Sequence, residues 1–161
     1  MQITVTFDDA RVQEGLRRFP GRVAARVEQA LWRGAVEIAR TARGKAPKAF
    51  STLTNSIHAQ RIGELHYRVA PGVNYAAPVE RGRKPGSQPG TANGLMEWVR
   101  QKTGLQGKEL DRKTFVIARA IGIKGIRPQL YMEPALKENT SRLRALVQAA
   151  ALLGAQEAFR G

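Results

Sequence analysis

The chain has 161 residues, 42% of them hydrophobic, and we expect this length and composition to give a single folded domain (1–161) with a substantial core. It has no cysteine, which excludes disulfides, zinc–thiolate sites and thiol chemistry. Lysine and arginine number 27 against 13 acidic residues, and this net charge of +14 favours a polyanionic neighbour, most often nucleic acid. Solubility or an acidic protein partner is the alternative reason for such a charge.

The sequence contains no pattern typical of membrane insertion. Residues 1–7 lack the positive region and the continuous apolar run of a signal peptide. The most apolar window, 147–155, is far shorter than the ~20 residues that a membrane-spanning helix requires. We therefore expect a soluble protein with no membrane partner.

The N-terminal region predicts a strand and a short helix. Apolar and polar residues alternate over 3–7, which is typical of a half-buried strand. Asp8 or Asp9 then caps a brief helix, which Pro20-Gly21 ends. The apolar residues that share a face of this helix are Val12, Leu16 and Phe19.

A long helix is predicted next, from about Arg22 to Lys45, with Gly44 and Pro47 ending it. Six apolar or small residues share an arc of roughly 100°, which is the width of a core-facing stripe. These residues are Val23, Val27, Ala30, Leu31, Gly34 and Ile38.

Residues 56–70 predict a β-hairpin that turns at Gly63-Glu64. The following segment 81–94 holds four glycines, two prolines and no acidic residue. We interpret it as a long, mobile, basic loop. Its basic residues are Arg81, Arg83 and Lys84.

Three helices are predicted in the second half of the chain. The first covers about Asn93 to Lys102, and the second runs from Asp111, as its N-cap, to Gly122, with 115–117 as an alternative strand. The last has Pro134 in its first turn and reaches nearly to Phe159. The inner line of this last helix is Leu136, Leu143, Val147, Ala150 and Gly154.

No arrangement of catalytic or ligand-binding residues stands out in the sequence. His58 and His66 lie in the two hairpin arms without cysteine or a suitably spaced carboxylate, so we expect exposed strand residues rather than metal ligands. Asp8 and Asp9 are more typical of a helix cap than of a catalytic pair. No phosphate-binding glycine motif occurs. We therefore expect no enzymatic activity, no metal and no cofactor.

Four arginines of the long helix form a row. On a helical wheel Arg22, Arg26, Arg33 and Arg40 fall within about 40° of one another, away from the apolar stripe. The row is ~27 Å long at ~1.5 Å per residue, and duplex DNA presents about 16 phosphates over that length. One copy offers four charges, whereas a ring of six would offer about 24, enough to line a DNA passage. The alternative is a solvated outer face with Glu37 as a partner.

Four motifs follow one another along the chain. The long helix ends in Lys45-Ala46-Pro47, and Leu53-x-x-Ser56-Ile57 leads into the hairpin. Segment 73–82 reads Val-x-Tyr-Ala-x-x-Val-Glu-x-Gly, and segment 127–135 reads Arg-Pro-x-x-Tyr-Met-x-Pro-Ala. In this order they resemble the tail-completion, or neck, protein family of long-tailed bacteriophages, small proteins of the head-to-tail junction. The resemblance covers roughly residues 22–150.

This resemblance implies an α+β fold, with long amphipathic helices packed on a small antiparallel sheet in a single domain. It implies a structural protein of the virion, made in the host cytoplasm, that forms a ring of six in the neck. Its partners would be the head-completion or connector protein, the tail terminator or tail tube protein, and DNA held by nonspecific charge. The arginine row supplies the candidates for the DNA channel. The candidates for subunit and partner contacts are Tyr75, Glu80, Arg81, Arg83, Lys84, Pro128 and Tyr131.

Other functions are weighed beside this one. One alternative is the tail-terminator ring of the same assembly, whose subunits have a similar size and a similar sequence pattern. A free, sequence-nonspecific nucleic-acid-binding protein would also explain the charge, and it predicts tight binding that weakens steeply as salt rises. An enzyme, such as a nuclease, is the weakest alternative. It predicts DNA cleavage with a divalent ion that alanine at Asp8, Asp9 or Glu80 would abolish.

Overall fold

The computed structural model describes residues 3–5, 21–48, 51–86 and 93–160. Helices predominate and a small antiparallel sheet accompanies them, which confirms the predicted α+β class. The chain order is β1 (Ile3–Val5), α1 (Arg22–Lys45), α2 (Ser51–Ser56), β2 (Ile57–Gly63), β3 (His66–Pro71), α3 (Ala76–Arg81), α4 (Asn93–Thr103), α5 (Gly107–Lys124) and α6 (Met132–Arg160).

The sheet has three antiparallel strands in the order β1-β3-β2. Strand β1 pairs Ile3 with Val69, which confirms the predicted first strand over 3–5. The hairpin β2–β3 is also confirmed, but it turns at Glu64-Leu65, one residue later than predicted. Leu65 adopts a left-handed φ of 53° there. The helix predicted before Pro20 lies outside the described residues.

Helix α1 has the bounds that the sequence predicted, and its apolar stripe lies in the core. Its last turn closes with the N–H of Ala46 donating to the carbonyl of Ala42 at 2.8 Å, and Pro47 follows in an irregular segment. The stripe packs on the sheet and on α6. Tyr67 and Val69 from β3 meet the stripe in the core.

Helices α1 and α6 run antiparallel and approach closely at two glycines. A Cβ at Gly34 would lie 2.2 Å from Cδ1 of Leu143, and one at Gly154 would lie 2.7 Å from the Cα of Val23. Near the other end of the pair, Asn139 donates its side-chain amide to Oγ1 of Thr41 at 3.0 Å. The predicted inner line of α6 is confirmed, since its five residues are buried or half-buried.

Helices α4 and α5 pack against each other beside this core. The bounds of α4 confirm the prediction, whereas the predicted start of α5 at Asp111 is wrong because the helix begins at Gly107. Leu110 and Thr114, in its first two turns, are its buried residues. Phe115 is 68% exposed, and the alternative strand at 115–117 is wrong as well. Among the described residues, no helix has the length and apolar character to cross a bilayer.

Candidate functional site

Two of the four motif segments, 73–82 and 127–135, meet in the fold at Glu80. This residue lies near the end of α3 and its side chain is completely buried. Its carboxylate accepts the backbone N–H of Tyr131 at 2.9 Å, of Met132 at 3.1 and 3.2 Å, and of Glu133 at 3.2 Å. These N–H groups open α6 and have no partner within the helix. The negative charge also suits the positive end of the helix dipole.

Backbone hydrogen bonds join the same two segments on either side of Glu80. The N–H of Gln129 donates to the carbonyl of Val79 at 2.9 Å. Arg83 and Ile126 form an antiparallel bridge with bonds of 2.8 and 2.9 Å. The N–H of Gly86 donates to the carbonyl of Gly122 at 2.8 Å. We call this unit, residues 75–86 with 122–133, the junction.

Two glycines allow the two segments of the junction to approach each other closely. Gly82 has φ 73° and a Cβ there would lie 2.7 Å from the carbonyl oxygen of Ile126. Gly125 has φ 71° and a Cβ there would lie 2.3 Å from the carbonyl oxygen of Arg83. Both positions require a left-handed backbone and leave no room for a side chain. The junction therefore depends on glycine at both crossings.

The junction corrects two predicted contact residues. Glu80 was predicted to touch a neighbouring subunit, but its buried carboxylate caps α6 within the same chain. Tyr131 is fully buried in the core, and its hydroxyl makes no hydrogen bond among the described residues. Burial, with smaller contributions from Glu80 and Tyr75, raises the pKa of Tyr131. These two side chains hold the fold together instead of forming a surface.

The other predicted contact residues remain accessible in part. Arg81, Lys84 and Pro128 are exposed, whereas Arg83 and Tyr75 are half-buried. Residues 81–86 correct the predicted mobile loop, because the end of α3 and the bridge to Ile126 hold this part of it. Residues 87–92 of that loop lie outside the described residues.

Tyr75 borders a cavity of about 240 Å³ between α2, the loop after β3 and α4. Thr52, Glu97, Trp98 and Gln101 line it with Tyr75, and the Glu97 carboxylate accepts a hydrogen bond from Arg100. Burial raises the pKa of Tyr75, and a hydrogen bond to Thr52 opposes that shift. The cavity combines two aromatic rings with amide, hydroxyl and carboxylate groups.

The arginine row on α1 divides into two pairs. The guanidinium of Arg26 donates to both carboxylate oxygens of Glu157 at 2.6 and 3.1 Å, and Arg22 donates to the Glu157 carbonyl at 3.0 Å. The hydrogen bond from Arg26 lowers the pKa of Glu157. Arg33 and Arg40 are exposed and have no hydrogen bond or ion pair with the described residues. The predicted row is on the surface, but its N-terminal half is engaged with α6.

The two histidines are half-buried, not fully exposed as predicted. Nδ1 of His58 lies 2.7 Å from the carbonyl oxygen of Ser56, and its other ring nitrogen contacts Gln60. In the strand register His58 pairs with Ala70, and His66 pairs with Gly63, so the two rings are not opposite each other. Among the described residues, no group of three or more potential ligands could hold a metal ion.

The sequence reasoning missed a surface on α5. Three large apolar side chains, Phe115, Val116 and Ile123, are exposed by 68%, 57% and 64%. Because the helix begins at Gly107 rather than at Asp111, it includes Leu110, and Leu110 with Thr114 marks the buried side opposite these three residues. The signal was present, but the assumed cap at Asp111 concealed it.

Comparison of the chain with protein-family models, with curated proteins and with solved structures finds no match.

Proposed function

We propose that the protein is a non-enzymatic structural component of a bacteriophage virion, in the neck, at the head-to-tail interface. As a tail-completion protein it forms a ring of six that joins the capsid connector to the tail and surrounds the DNA channel. The observation that supports this proposal is the junction. Two of the four motif segments on which the resemblance rests are 51 residues apart at their central hydrogen bond, from the Tyr131 N–H to Glu80. In the fold they form one hydrogen-bonded unit.

The junction suits a subunit that must keep its shape in an assembly. A buried carboxylate that accepts hydrogen bonds from several N–H groups holds those donors in one geometry. It thereby fixes the direction of α6, the longest helix, relative to α3. The exposed residues around it, Arg81, Lys84 and Pro128, are then presented to neighbours on a rigid base.

DNA contact in this proposal depends on Arg33 and Arg40. They are seven residues apart, hence about 10 Å along one face of α1. In a ring of six, these two arginines would supply about 12 charges, half of what the full row would give. Such a lining holds DNA through phosphates without reading its sequence, so DNA can still pass.

The direct experiment removes the protein from the phage. Particles made without it should contain filled heads and finished tails that fail to unite, and purified protein should join tails or connectors when added back. Mass measurement over a range of concentrations should show a closed ring in the presence of those partners. Intact infectious virions from the deletion would refute the proposal. A tail terminator would instead leave tails of uncontrolled length.

A second candidate, a free sequence-nonspecific nucleic-acid-binding protein, is favoured by the exposed Arg33 and Arg40 and by the net charge of +14. It predicts tight duplex binding by the isolated chain, with log affinity falling steeply as log salt rises. The double variant Arg33→Gln/Arg40→Gln should lower that slope, and Lys137→Gln, an exposed cation on α6, is the matched control. The neck proposal predicts weak binding by the isolated chain.

A further inference from the structure

Helix α5 buries very little of itself. Of its 18 residues, Leu110 and Thr114 are the buried ones. The exposed fractions of Phe115, Val116 and Ile123 lie between 57% and 68%. Large apolar side chains grouped on one helix face mark a binding surface more often than scattered ones do.

Cations are interleaved with these apolar side chains. At 100° per residue, six residues of α5 fall within an arc of about 100°, opposite the buried pair. Three are apolar, three are basic, and no carboxylate lies between them. We call this set the outer face of α5: Lys108, Arg112, Phe115, Val116, Arg119 and Ile123.

The outer face is rigid and unoccupied by the described part of the chain. The C-terminal end of α5 is fixed because the Gly122 carbonyl accepts the N–H of Gly86 and the Ile121 carbonyl accepts that of Gly125, both at 2.8 Å. Its inner side packs on α4. No carboxylate among the described residues forms an ion pair with Lys108, Arg112 or Arg119.

The interleaving decides what kind of molecule fits. Duplex DNA would neutralise the cations through phosphates but would leave three apolar side chains without apolar contact. A lipid surface requires apolar and charged residues on opposite sides of the helix, whereas Arg119 lies between Phe115 and Ile123 and would be drawn into the acyl chains with them. A second copy that docked through the same face would bring the three basic residues of each copy together and meet repulsion.

We propose that the outer face of α5 binds an acidic amphipathic helix of another protein. Charge complementarity requires carboxylates on the occupant, and the apolar side chains require aliphatic anchors between them. Phe115 and Ile123 are eight residues apart, or about 12 Å along the axis. A partner helix with apolar residues at i and i+8 and a Glu or Asp at i+4 matches Phe115, Ile123 and the intervening Arg119.

The probe that tests this is a fluorescein-labelled peptide of about 20 residues, long enough to span the ~22 Å from Lys108 to Ile123. It carries leucines at i, i+8 and i+11, with Glu or Asp at i+4 and at most other positions. A scrambled peptide of the same composition, a duplex of about 20 base pairs and vesicles of anionic lipid are the comparison ligands. Fluorescence anisotropy with the full-length protein reports binding of the peptides.

Two double variants probe the two chemistries of the face. Arg112→Gln/Arg119→Gln should weaken peptide binding at least about tenfold and reduce its salt dependence. Phe115→Ser/Ile123→Ser should weaken it about tenfold with the salt dependence unchanged. Lys113→Gln on α5 and Leu152→Ser on α6 are matched controls, since Lys113 is exposed outside the arc and Leu152 is 67% exposed. Both controls should bind as the unaltered protein does, and circular dichroism checks that every variant is folded.

Failure of the amphipathic peptide to bind below about 1 mM would overturn the proposal, as would equal binding of the scrambled peptide. Equal losses in the face variants and in the controls would also overturn it. If the two double variants weakened DNA or vesicle binding more than they weakened peptide binding, the surface would be assigned to that ligand instead. These measurements use the isolated chain, so their outcome is independent of whether the neck proposal survives.

Discussion

The helix pairs α1–α6 and α4–α5 use their apolar residues in different ways. Along α1 nine residues are buried, and the small residues Gly34 and Gly154 let its partner approach until a Cβ would collide. On α5, Leu110 and Thr114 are buried, while Phe115 stands 68% exposed. The first pair buries a continuous apolar stripe within the chain, although Leu152 and Leu153 stay exposed. The second pair buries little of α5, whose exposed apolar side chains are grouped on one helix face.

This difference separates residues that make the fold from residues that are available to partners. Exposure alone does not identify a residue that binds a partner, because single apolar side chains are common on protein surfaces. Leu152 and Leu153 on α6 are exposed too, but no lysine or arginine lies within four residues of either along the helix. The combination of three apolar and three basic side chains in one arc is what distinguishes α5.

The largest effect is expected at Glu80, which anchors α6 and hence the first helix pair. Glu80→Ala would leave the buried N–H groups of Tyr131 and Met132, and that of Glu133, without an acceptor. We expect a loss of about 3 kcal/mol or more in the free energy of unfolding, since each unsatisfied group costs about 1–3 kcal/mol. Urea unfolding measures it, and Glu109→Ala, exposed on α5, should stay within about 0.5 kcal/mol. Equal stability of the two variants would mean that Glu80 is not the cap.

A valine from each helix pair tests the comparison directly. Val147→Ala removes a fully buried side chain beside α1, and about 2 kcal/mol should be lost through burial and the resulting cavity. Val116→Ala removes the same atoms from a side chain that is 57% exposed, so stability should change by less than about 0.5 kcal/mol. Thermal and urea unfolding of both variants give the difference. Similar losses at both positions would show that α5 is covered within the chain.

The sequence predicted α1 and α6 well because their apolar residues repeat with helical period over many turns. Val23 to Ile38 define one stripe, and Leu143 to Gly154 define the stripe that packs on it. The start of α5 was missed because Asp111 is a favoured cap residue, whereas Gly107 carries no such signal. Local propensity was outweighed there by the burial of Leu110.

The junction could not be predicted from local patterns. The hydrogen bonds of Glu80 join residues about fifty positions apart, and nothing in the sequence around Tyr131 specifies which acid would cap the helix. The one available signal was a single carboxylate in the otherwise uncharged stretch 73–80. The pairing of Arg26 with Glu157 was missed for the same reason, since it joins opposite ends of the chain.

Glycine-to-alanine changes should have opposite signs in the two pairs. Gly154→Ala places a Cβ 2.7 Å from the backbone of Val23, and about 1–3 kcal/mol should be lost through overpacking. Gly122→Ala in α5 meets no atom within 4 Å, so it should gain up to about 1 kcal/mol from helix propensity. The measurement is the urea midpoint at constant slope. A loss at Gly122 would indicate close packing around α5 that the fold does not show.

The smallest effect on stability at neutral pH is expected at two tyrosines. Tyr131 is buried in the core, and Tyr75 borders the cavity beside α4. The Tyr131 hydroxyl makes no hydrogen bond among the described residues, so Tyr131→Phe should change stability at pH 7 by less than about 0.5 kcal/mol. Burial raises the pKa of Tyr131 in the folded chain, whereas in the unfolded chain it ionises near its usual value of about 10. Above that pH the unfolded state therefore binds fewer protons than the folded state, and stability falls as pH rises.

Tyr131→Phe should remove much of this alkaline loss, and Tyr75→Phe should remove less, because the hydrogen bond to Thr52 opposes the rise in the pKa of Tyr75. Urea unfolding between about pH 8 and 11, with phenolate absorbance as a second reading, measures both. If Tyr131→Phe lost stability with pH as steeply as the unaltered protein, the phenol of Tyr131 would have to reach water in the folded state. The hydrophobic core around the start of α6 would then be as open to water as the outer face of α5, and the contrast between the two helix pairs would fail.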